Sequence, residues 1–154
     1  MKELALNEFI FHHMIDPKHS IDTIVLLSEI EKSCCKIVVN NEVKKKYSQK
    51  LKGLSEGIQE EYFHNCILRF LSQLLHNTEK VAERNYPRKL DDSELENHHD
   101  APFIKAALAS GDKTLVTQDE RLKDLLKTKR IEVKVLSPTE ASNLLRVVRK
   151  LLEG

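Results

Sequence analysis

The chain has 154 residues, which is enough for one domain with a substantial hydrophobic core. Its 25 basic and 24 acidic side chains nearly cancel, so a uniformly basic surface is excluded and any polyanion site must be a local patch. No run reaches the roughly 18 apolar residues of a membrane-spanning helix, and three cysteines, Cys34, Cys35 and Cys66, favour reduced thiols in a cytoplasmic protein.

Hydrophobic periodicity and capping residues predict alternating strands and helices in the first half of the chain. The N-terminal apolar strip is too short and too charged for a signal peptide. In chain order we predict a strand over 4–11, a helix opened by Ser20, a buried strand over 36–39, a helix from Asn40 or Asn41 to Gly53, and a helical stretch from Glu56 to about Arg84.

The second half begins with an aperiodic stretch, residues 85–99, which we predict to be a long loop with room for one short helix. After it the alternation resumes, with clear start and stop signals. We predict a helix from Asp100 to Gly111, a strand over 113–117, a helix over 119–128, a strand over 131–137, and a last helix through Leu152, opened by the capping box of Ser137 and Glu140.

This alternation predicts an α/β fold in three layers, with a central, mostly parallel sheet of four or five short strands and helices on both faces. Each predicted strand ends on a polar residue, for example Asn7, Asn40 or Thr117. Because ligands of such sheets bind beyond the carboxyl ends of the strands, we expect the functional site at that edge.

Two carboxylates, Asp100 and Asp119, bracket one helix–strand unit. A helix that runs antiparallel to the following strand begins at the edge where that strand ends, so the two side chains can converge. Converging carboxylates repel and require a cation or a proton, and Mg²⁺ or Mn²⁺ suits oxygen ligands. The alternative is two surface helix caps, although Thr117 and Glu120 could form a capping box without Asp119.

Residues 98–122, HHDAPFIKAALASGDKTLVTQDERL, resemble the second half of a PIN domain, a compact α/β nuclease fold of about this length. The shared features are an Asp that leads a helix rich in small residues, a Gly turn, a short strand and a Thr-x-Asp sequence. Residues 18–51 and the segment VLSPTEA are similar to other parts of that family. The resemblance implies a single PIN-like domain over residues 1–154.

PIN domains commonly use four acids around Mg²⁺ or Mn²⁺ to hydrolyse RNA, so the resemblance implies that Asp100 and Asp119 are two metal ligands. At the other two positions this chain has Asn7 and Lys46. Asn7 can act as a catalytic ligand through its carbonyl oxygen, but it brings no charge. Lys46 cannot ligate while protonated; it could instead pair with Asp100 or Asp119, or contact a phosphate.

Nearby residues could compensate for the missing acids. Glu42 lies one helical turn before Lys46, and Glu8 could face the site if a bulge changed the strand register. Thr117 belongs to the Thr-x-Asp sequence, and His99 is a candidate phosphate contact.

The adjacent pairs His12–His13 and His98–His99 raise the question of a transition-metal site. Neighbouring residues on an extended segment point in opposite directions, so we expect at most one of each pair to face an ion. The alternative is a polar loop. Basic stretches over 44–52 and 121–130 could contact phosphates or could simply be solvated helix faces.

The sequence therefore supports two hypotheses. The first is a PIN-like, Mg²⁺- or Mn²⁺-dependent endoribonuclease with an unusual, weakened active site. The second is a catalytically inactive PIN-fold module that binds RNA or a protein partner. The apolar helix over 58–76 makes a homodimer plausible, and a small receiver-like regulator fits less well because Asn7 and Glu8 are not an acid pair.

Overall fold

The computed structural model describes residues 1–13, 20–57 and 62–153. None of the helices in these ranges combines the length and the apolar character that crossing a membrane requires. The strands are β1 Glu3–Leu6, β2 Lys36–Val39, β3 Val81–Glu83, β4 Thr114–Val116 and β5 Lys134–Leu136. The helices are α1 Phe9–His13, α2 Ser20–Lys32, α3 Asn41–Gly57, α4 Tyr62–His76, α5 Ser93–Glu96, α6 Ala101–Ala109, α7 Glu120–Thr128 and α8 Pro138–Glu153.

The five strands form one sheet in the order β3-β2-β1-β4-β5, and every neighbouring pair is parallel. This confirms the predicted α/β class with a parallel sheet flanked by helices. The order of the strands reverses between β1 and β4, since β2 and β3 lie on one side of β1 and β4 and β5 on the other. The carboxyl ends of β1 and β4 therefore flank the position where such sheets bind ligands.

The strand register brings the predicted polar strand ends to one level. Leu6 pairs with Val116, and the backbone N–H of Asn7 donates to the Val116 carbonyl at 3.0 Å, so Asn7 lies beside Thr117. The pairing of Leu4 with Ile37, continued three residues further, places Asn7 beside Asn40 on its other side. A row of polar side chains thus crosses the carboxyl edge of the sheet.

The core consists of the apolar strand residues and the inner faces of the helices, and it also holds one buried acid, Glu29 on α2. Glu29 forms ion pairs with Arg146 and Arg149 of α8, which joins these two helices. Cys34 and Cys35 are free thiols, and burial raises the pKa of Cys35 to about 12. Cys66 lies outside the described side chains.

Several predicted boundaries are wrong, among them the last strand, which was predicted over 131–137 and covers only Lys134–Leu136. The first strand ends at Leu6 rather than continuing over 4–11, because the chain turns at Asn7–Glu8 and begins α1. The helix predicted to end at Gly53 runs to Gly57; a Cβ at Gly53 would meet no atom within 4 Å, so this glycine lies on an open helix surface. The helical stretch to Arg84 ends at His76, and β3 follows after a turn in which the Asn77 side chain accepts from the Glu79 N–H.

Other predictions at the ends of elements are confirmed. The Asn40 side chain accepts from the backbone N–H of Val43 at 2.9 Å and thus caps α3. Ser137 and Glu140 form the reciprocal capping box that opens α8, with hydrogen bonds of 3.0 and 3.1 Å. The loop over 85–99 contains one short helix, α5.

Candidate functional site

Asp100 stands at the beginning of α6, but its carboxylate makes no capping hydrogen bond. The residue is only 2% exposed. Capping, the alternative that we considered from the sequence, therefore does not explain this aspartate. A carboxylate that is removed from water without a hydrogen-bond donor carries a considerable free-energy cost, so its presence calls for another partner.

The two histidines before Asp100 both face its carboxylate. His99 Nε2 lies 3.2 Å from Asp100 Oδ2, and His98 Nδ1 lies 3.7 Å from the same oxygen. The two imidazole rings are stacked, with centroids 4.4 Å apart and an interplanar angle of 24°. The extended segment that we assumed for this pair is wrong, because residues 97–100 are turns and bends, and both rings therefore lie near the same carboxylate.

A backbone hydrogen bond distinguishes the two histidines. The N–H of Asp100 donates to His98 Nδ1 at 3.0 Å, so this nitrogen is an acceptor and carries no proton. His98 therefore cannot donate to the Asp100 carboxylate from Nδ1. His99, whose side chain is 69% exposed, is the histidine with a ring nitrogen turned to the carboxylate and free of such a bond.

Burial raises the pKa of Asp100 above its ordinary value, and the charges of His99 and His98 lower it in part. The negative charges of Glu8 and Asp119 add to the increase. Both acids therefore act electrostatically on Asp100, as expected for groups gathered at one edge of the sheet. Glu8 acts on Asp100 from the turn after β1, and Asp119 acts on it from the start of α7.

Asp119 is exposed and caps α7, with its Oδ1 accepting from the Leu122 N–H at 3.1 Å. Its own N–H donates to Thr117 Oγ1 at 3.1 Å. The predicted capping box of Thr117 and Glu120 is therefore wrong: Asp119 is the cap, and Thr117 fixes the turn before it. Within the described residues the second carboxylate oxygen of Asp119 accepts no hydrogen bond.

Asn7 is 4% exposed, and Thr117 beside it is equally buried. The backbone N–H of Asn7 is used in the sheet, but its side-chain amide has no hydrogen-bond partner within the described part of the chain. Buried amides are almost always paired in folded proteins. Because its amide is buried and unpaired at the carboxyl edge of the sheet, Asn7 is a candidate ligand for a metal ion or a substrate.

The structure does not bring Lys46 to the aspartates as expected. Lys46 is half-buried, and within the described ranges its amine has no carboxylate within 4.0 Å, so the predicted ion pair with Asp100 or Asp119 does not form. The next residue, Tyr47, turns inward instead, and its hydroxyl donates to the Leu6 carbonyl. Its ring packs against Phe103 of α6 at 5.9 Å between centroids, so α3 provides an aromatic wall beside the end of β1.

A cavity lies further along the same edge, at the ends of β2 and β3. Glu42 is exposed there and belongs to the lining of this cavity, which measures about 250 Å³. The residues lining it are Asn40, Asn41, Glu42, Asn85, Tyr86, Pro102 and Lys105. Glu42 is thus placed among these groups rather than in contact with Asp100.

Three side chains around Asp100 form a cluster that could hold a metal ion. The donor atoms of His98, His99 and Asp100 all lie within 4.8 Å of one another. Asn7 adds an unpaired amide at the same edge, and Asp119 adds a carboxylate oxygen without a hydrogen bond. This set contains imidazole nitrogen in addition to the oxygen ligands that the sequence predicted.

Of these residues, His98 was discounted from the sequence, and Tyr47 was not considered. The position of His98 next to His99 and Asp100 indicated that it could lie near this acid. The assumption of an extended segment pointed His98 away from it. No protein-family model matches the sequence, and the search of curated proteins finds no match. The resemblance to PIN domains therefore rests on the motifs in the sequence itself.

Proposed function

We propose that the protein is a PIN-like, divalent-metal-dependent endoribonuclease whose centre is formed by Asp100, Asp119 and Asn7. The observation that carries this proposal is the carboxylate of Asp100, which is buried beside the topological switch point, makes no capping hydrogen bond and, within the described residues, has only two histidines as basic neighbours. A structural acid in such a place would be neutralised by an arginine or by backbone N–H groups. The surroundings of Asp100 are instead those expected of a carboxylate that binds a cation.

In this proposal Asp100, Asp119 and the Asn7 carbonyl oxygen hold the ion. A bound Mg²⁺ or Mn²⁺ would supply an activated water and would stabilise charge that develops on the scissile phosphate. The α7 cap fixes one oxygen of Asp119 and leaves the other free for the centre. Tyr47 packs against Phe103 of α6, and its hydroxyl donates to the Leu6 carbonyl, so it joins α3 and α6 to the end of β1 beside the proposed centre.

Two features favour RNA as the substrate. The cavity at the ends of β2 and β3 includes Tyr86, whose ring lies 5.7 Å from the guanidinium of Arg88. Aromatic rings and guanidinium planes are the surfaces on which single-stranded bases stack. Lys46, which has no ion pair in the described residues, is available to a phosphate as a point charge.

The test is cleavage of a fluorescently labelled single-stranded RNA with Mn²⁺ or Mg²⁺. We expect cleavage by the wild-type protein and none by the Asp100→Asn, Asp119→Asn double variant. Asp124→Asn is the matched control, since it removes an exposed acid from α7 outside the centre. Cleavage that persists undiminished in the double variant contradicts the proposal.

A catalytically inactive RNA- or protein-binding module is the second candidate. The observation that favours it is the His99 imidazole 3.2 Å from the Asp100 carboxylate, which pairs with this acid without a metal. It predicts RNA binding without cleavage at any metal concentration. The Asn7→Asp variant separates the two, because an acid restored at this buried position should raise cleavage only if the pocket is a weakened metal centre.

A further inference from the structure

We infer that His99 and Asp100 together bind a first-row transition metal ion, such as Mn²⁺, Co²⁺ or Zn²⁺, with His98 as the residue that positions His99. This inference deepens the proposed function, because it names the class of metal for that same centre. The catalytic role of the ion depends on the proposed function, whereas the binding of the ion by His99 and Asp100 does not.

The distance between the donor atoms supports a shared ion. His99 Nε2 and Asp100 Oδ2 are 3.2 Å apart. Two ligands that each lie about 2.0–2.2 Å from one ion are separated by about 3.0–3.5 Å in tetrahedral or octahedral geometry. The ring nitrogen and the carboxylate oxygen thus already have the separation of neighbouring ligands.

The chemistry of the donors selects the ion. Imidazole nitrogen suits Zn²⁺, Co²⁺ and related ions, whereas Mg²⁺ prefers oxygen ligands and retains its water. Asp100 supplies one charged oxygen from a buried position, and His99 supplies a neutral nitrogen from the exposed side. A mixed nitrogen and oxygen site of this kind binds transition metals more tightly than it binds Mg²⁺.

His98 acts on its neighbour rather than on the ion. Its Nδ1 accepts from the Asp100 N–H at 3.0 Å, so that lone pair is already engaged. Its ring stacks on that of His99 at 4.4 Å and thereby restricts the rotation of His99 over the carboxylate. Without this stacking, the exposed side chain of His99 would lose more rotamer freedom on binding the ion, and the ion would bind more weakly.

An independent observation also indicates a ligand at this edge. The side-chain amide of Asn7 is buried and has no hydrogen-bond partner among the described residues. It lies next to Thr117 in the sheet register, at the switch point where Asp119 also acts on Asp100. In this inference an ion-bound water completes the coordination, and Asn7 is a candidate further ligand at the same edge of the sheet.

The experiment is titration of the purified protein with Co²⁺, followed by visible absorption and by calorimetry. We expect one Co²⁺ site, with affinity reduced at least 10-fold in His99→Ala and in Asp100→Asn, and Mg²⁺ displacing Co²⁺ only at 100-fold excess or more. His98→Ala should weaken binding 3- to 10-fold, and His98→Phe, which keeps a ring for stacking, should restore most of the loss. His76→Ala is the matched control, because His76 is an exposed histidine on α4.

Co²⁺ affinity and spectra that are the same in His99→Ala as in the wild type overturn the inference. A loss in His98→Phe as large as that in His99→Ala overturns the positioning role. The result is separable from the nuclease proposal: Co²⁺ bound through His99 without RNA cleavage leaves the inference standing and removes the proposed function. If His99→Ala changes neither the cleavage of RNA with Mg²⁺ nor the binding of Co²⁺, the proposed function stands and this inference is removed.

Discussion

Two buried acids in this molecule have opposite surroundings. The side chain of Glu29, on α2, is 7% exposed and lies against Arg146 and Arg149 of α8, at 3.4 and 3.2 Å. Burial acts to raise the pKa of Glu29, but the hydrogen bonds and charges of Arg149 and Arg146 outweigh it and hold the pKa below its ordinary value. This carboxylate joins two helices.

The side chain of Asp100 is 3% exposed, and the basic groups beside it within the described residues are two histidines. Burial dominates here, and the pKa of Asp100 is raised. Burial is thus common to both acids, and what distinguishes them is whether arginines neutralise the buried charge. An acid with permanent cations stabilises the fold, and an acid without them is kept at the expense of stability, as is common at functional sites.

The variant Asp100→Asn should have the largest effect and should separate activity from stability. We expect RNA cleavage to fall at least about 100-fold, since even partners behind metal ligands are worth about 10–100-fold. The free energy of unfolding should stay the same or rise by about 1 kcal/mol, because the variant removes a poorly compensated buried charge. Cleavage assays and urea denaturation measure the two quantities, and a marked loss of stability would show that Asp100 is structural after all.

The variant Glu29→Gln should show the opposite pattern. We expect the free energy of unfolding to fall by about 2 kcal/mol, as charged hydrogen bonds are lost, and the melting temperature to fall by about 4–8 °C. RNA cleavage and Co²⁺ binding should not change. Glu31→Gln, an exposed position on the same helix, is the control and should leave the melting temperature unchanged. Equal effects of the two variants would refute the role assigned to the α2–α8 ion pairs.

The dependence of stability on pH should also report the ion pairs of Glu29. The pKa of Glu29 is lower in the folded protein than its ordinary value of 4.5. Its contribution is therefore complete above that value and is lost as the pH falls through the lower, folded pKa. The stability difference between the wild type and Glu29→Gln should be constant near about pH 6–7 and should shrink toward about pH 3. A difference that grows on acidification contradicts the assignment.

Much of the fold could be predicted because its signals are local. The capping box of Ser137 and Glu140 and the cap at Asn40 lie within a few residues of the helices that they open. The strand Val81–Glu83 could not be recognised, because three residues provide no alternation and follow a long helical pattern. It is specified by pairing with β2, which is a tertiary contact.

The candidate site was predicted in part, for a related reason. Asp100 and Asp119 are fixed by the ends of a helix and a strand, which the sequence shows. Whether two adjacent histidines face the same way depends on the backbone between them, and a turn at 97–100 reverses the conclusion drawn for an extended chain. Lys46 was placed by resemblance, whereas the packing of Tyr47 determines which face of α3 meets the sheet.

The smallest expected change in stability concerns Asp119, which has both a structural role and a proposed functional one. Its Oδ1 caps α7, and its charge acts on Asp100. Asn is as good an N-cap as Asp, so Asp119→Asn should change the free energy of unfolding by only a few tenths of a kcal/mol, whereas Asp119→Ala should lower it by about 1 kcal/mol.

Both variants should lose cleavage to a similar extent, because both remove the carboxylate charge from the metal centre. Urea denaturation and the RNA assay on the same preparations test this. If Asp119→Asn kept full cleavage, Asp119 would be a cap alone, and Asp100 would remain as the one acid that the cation requires.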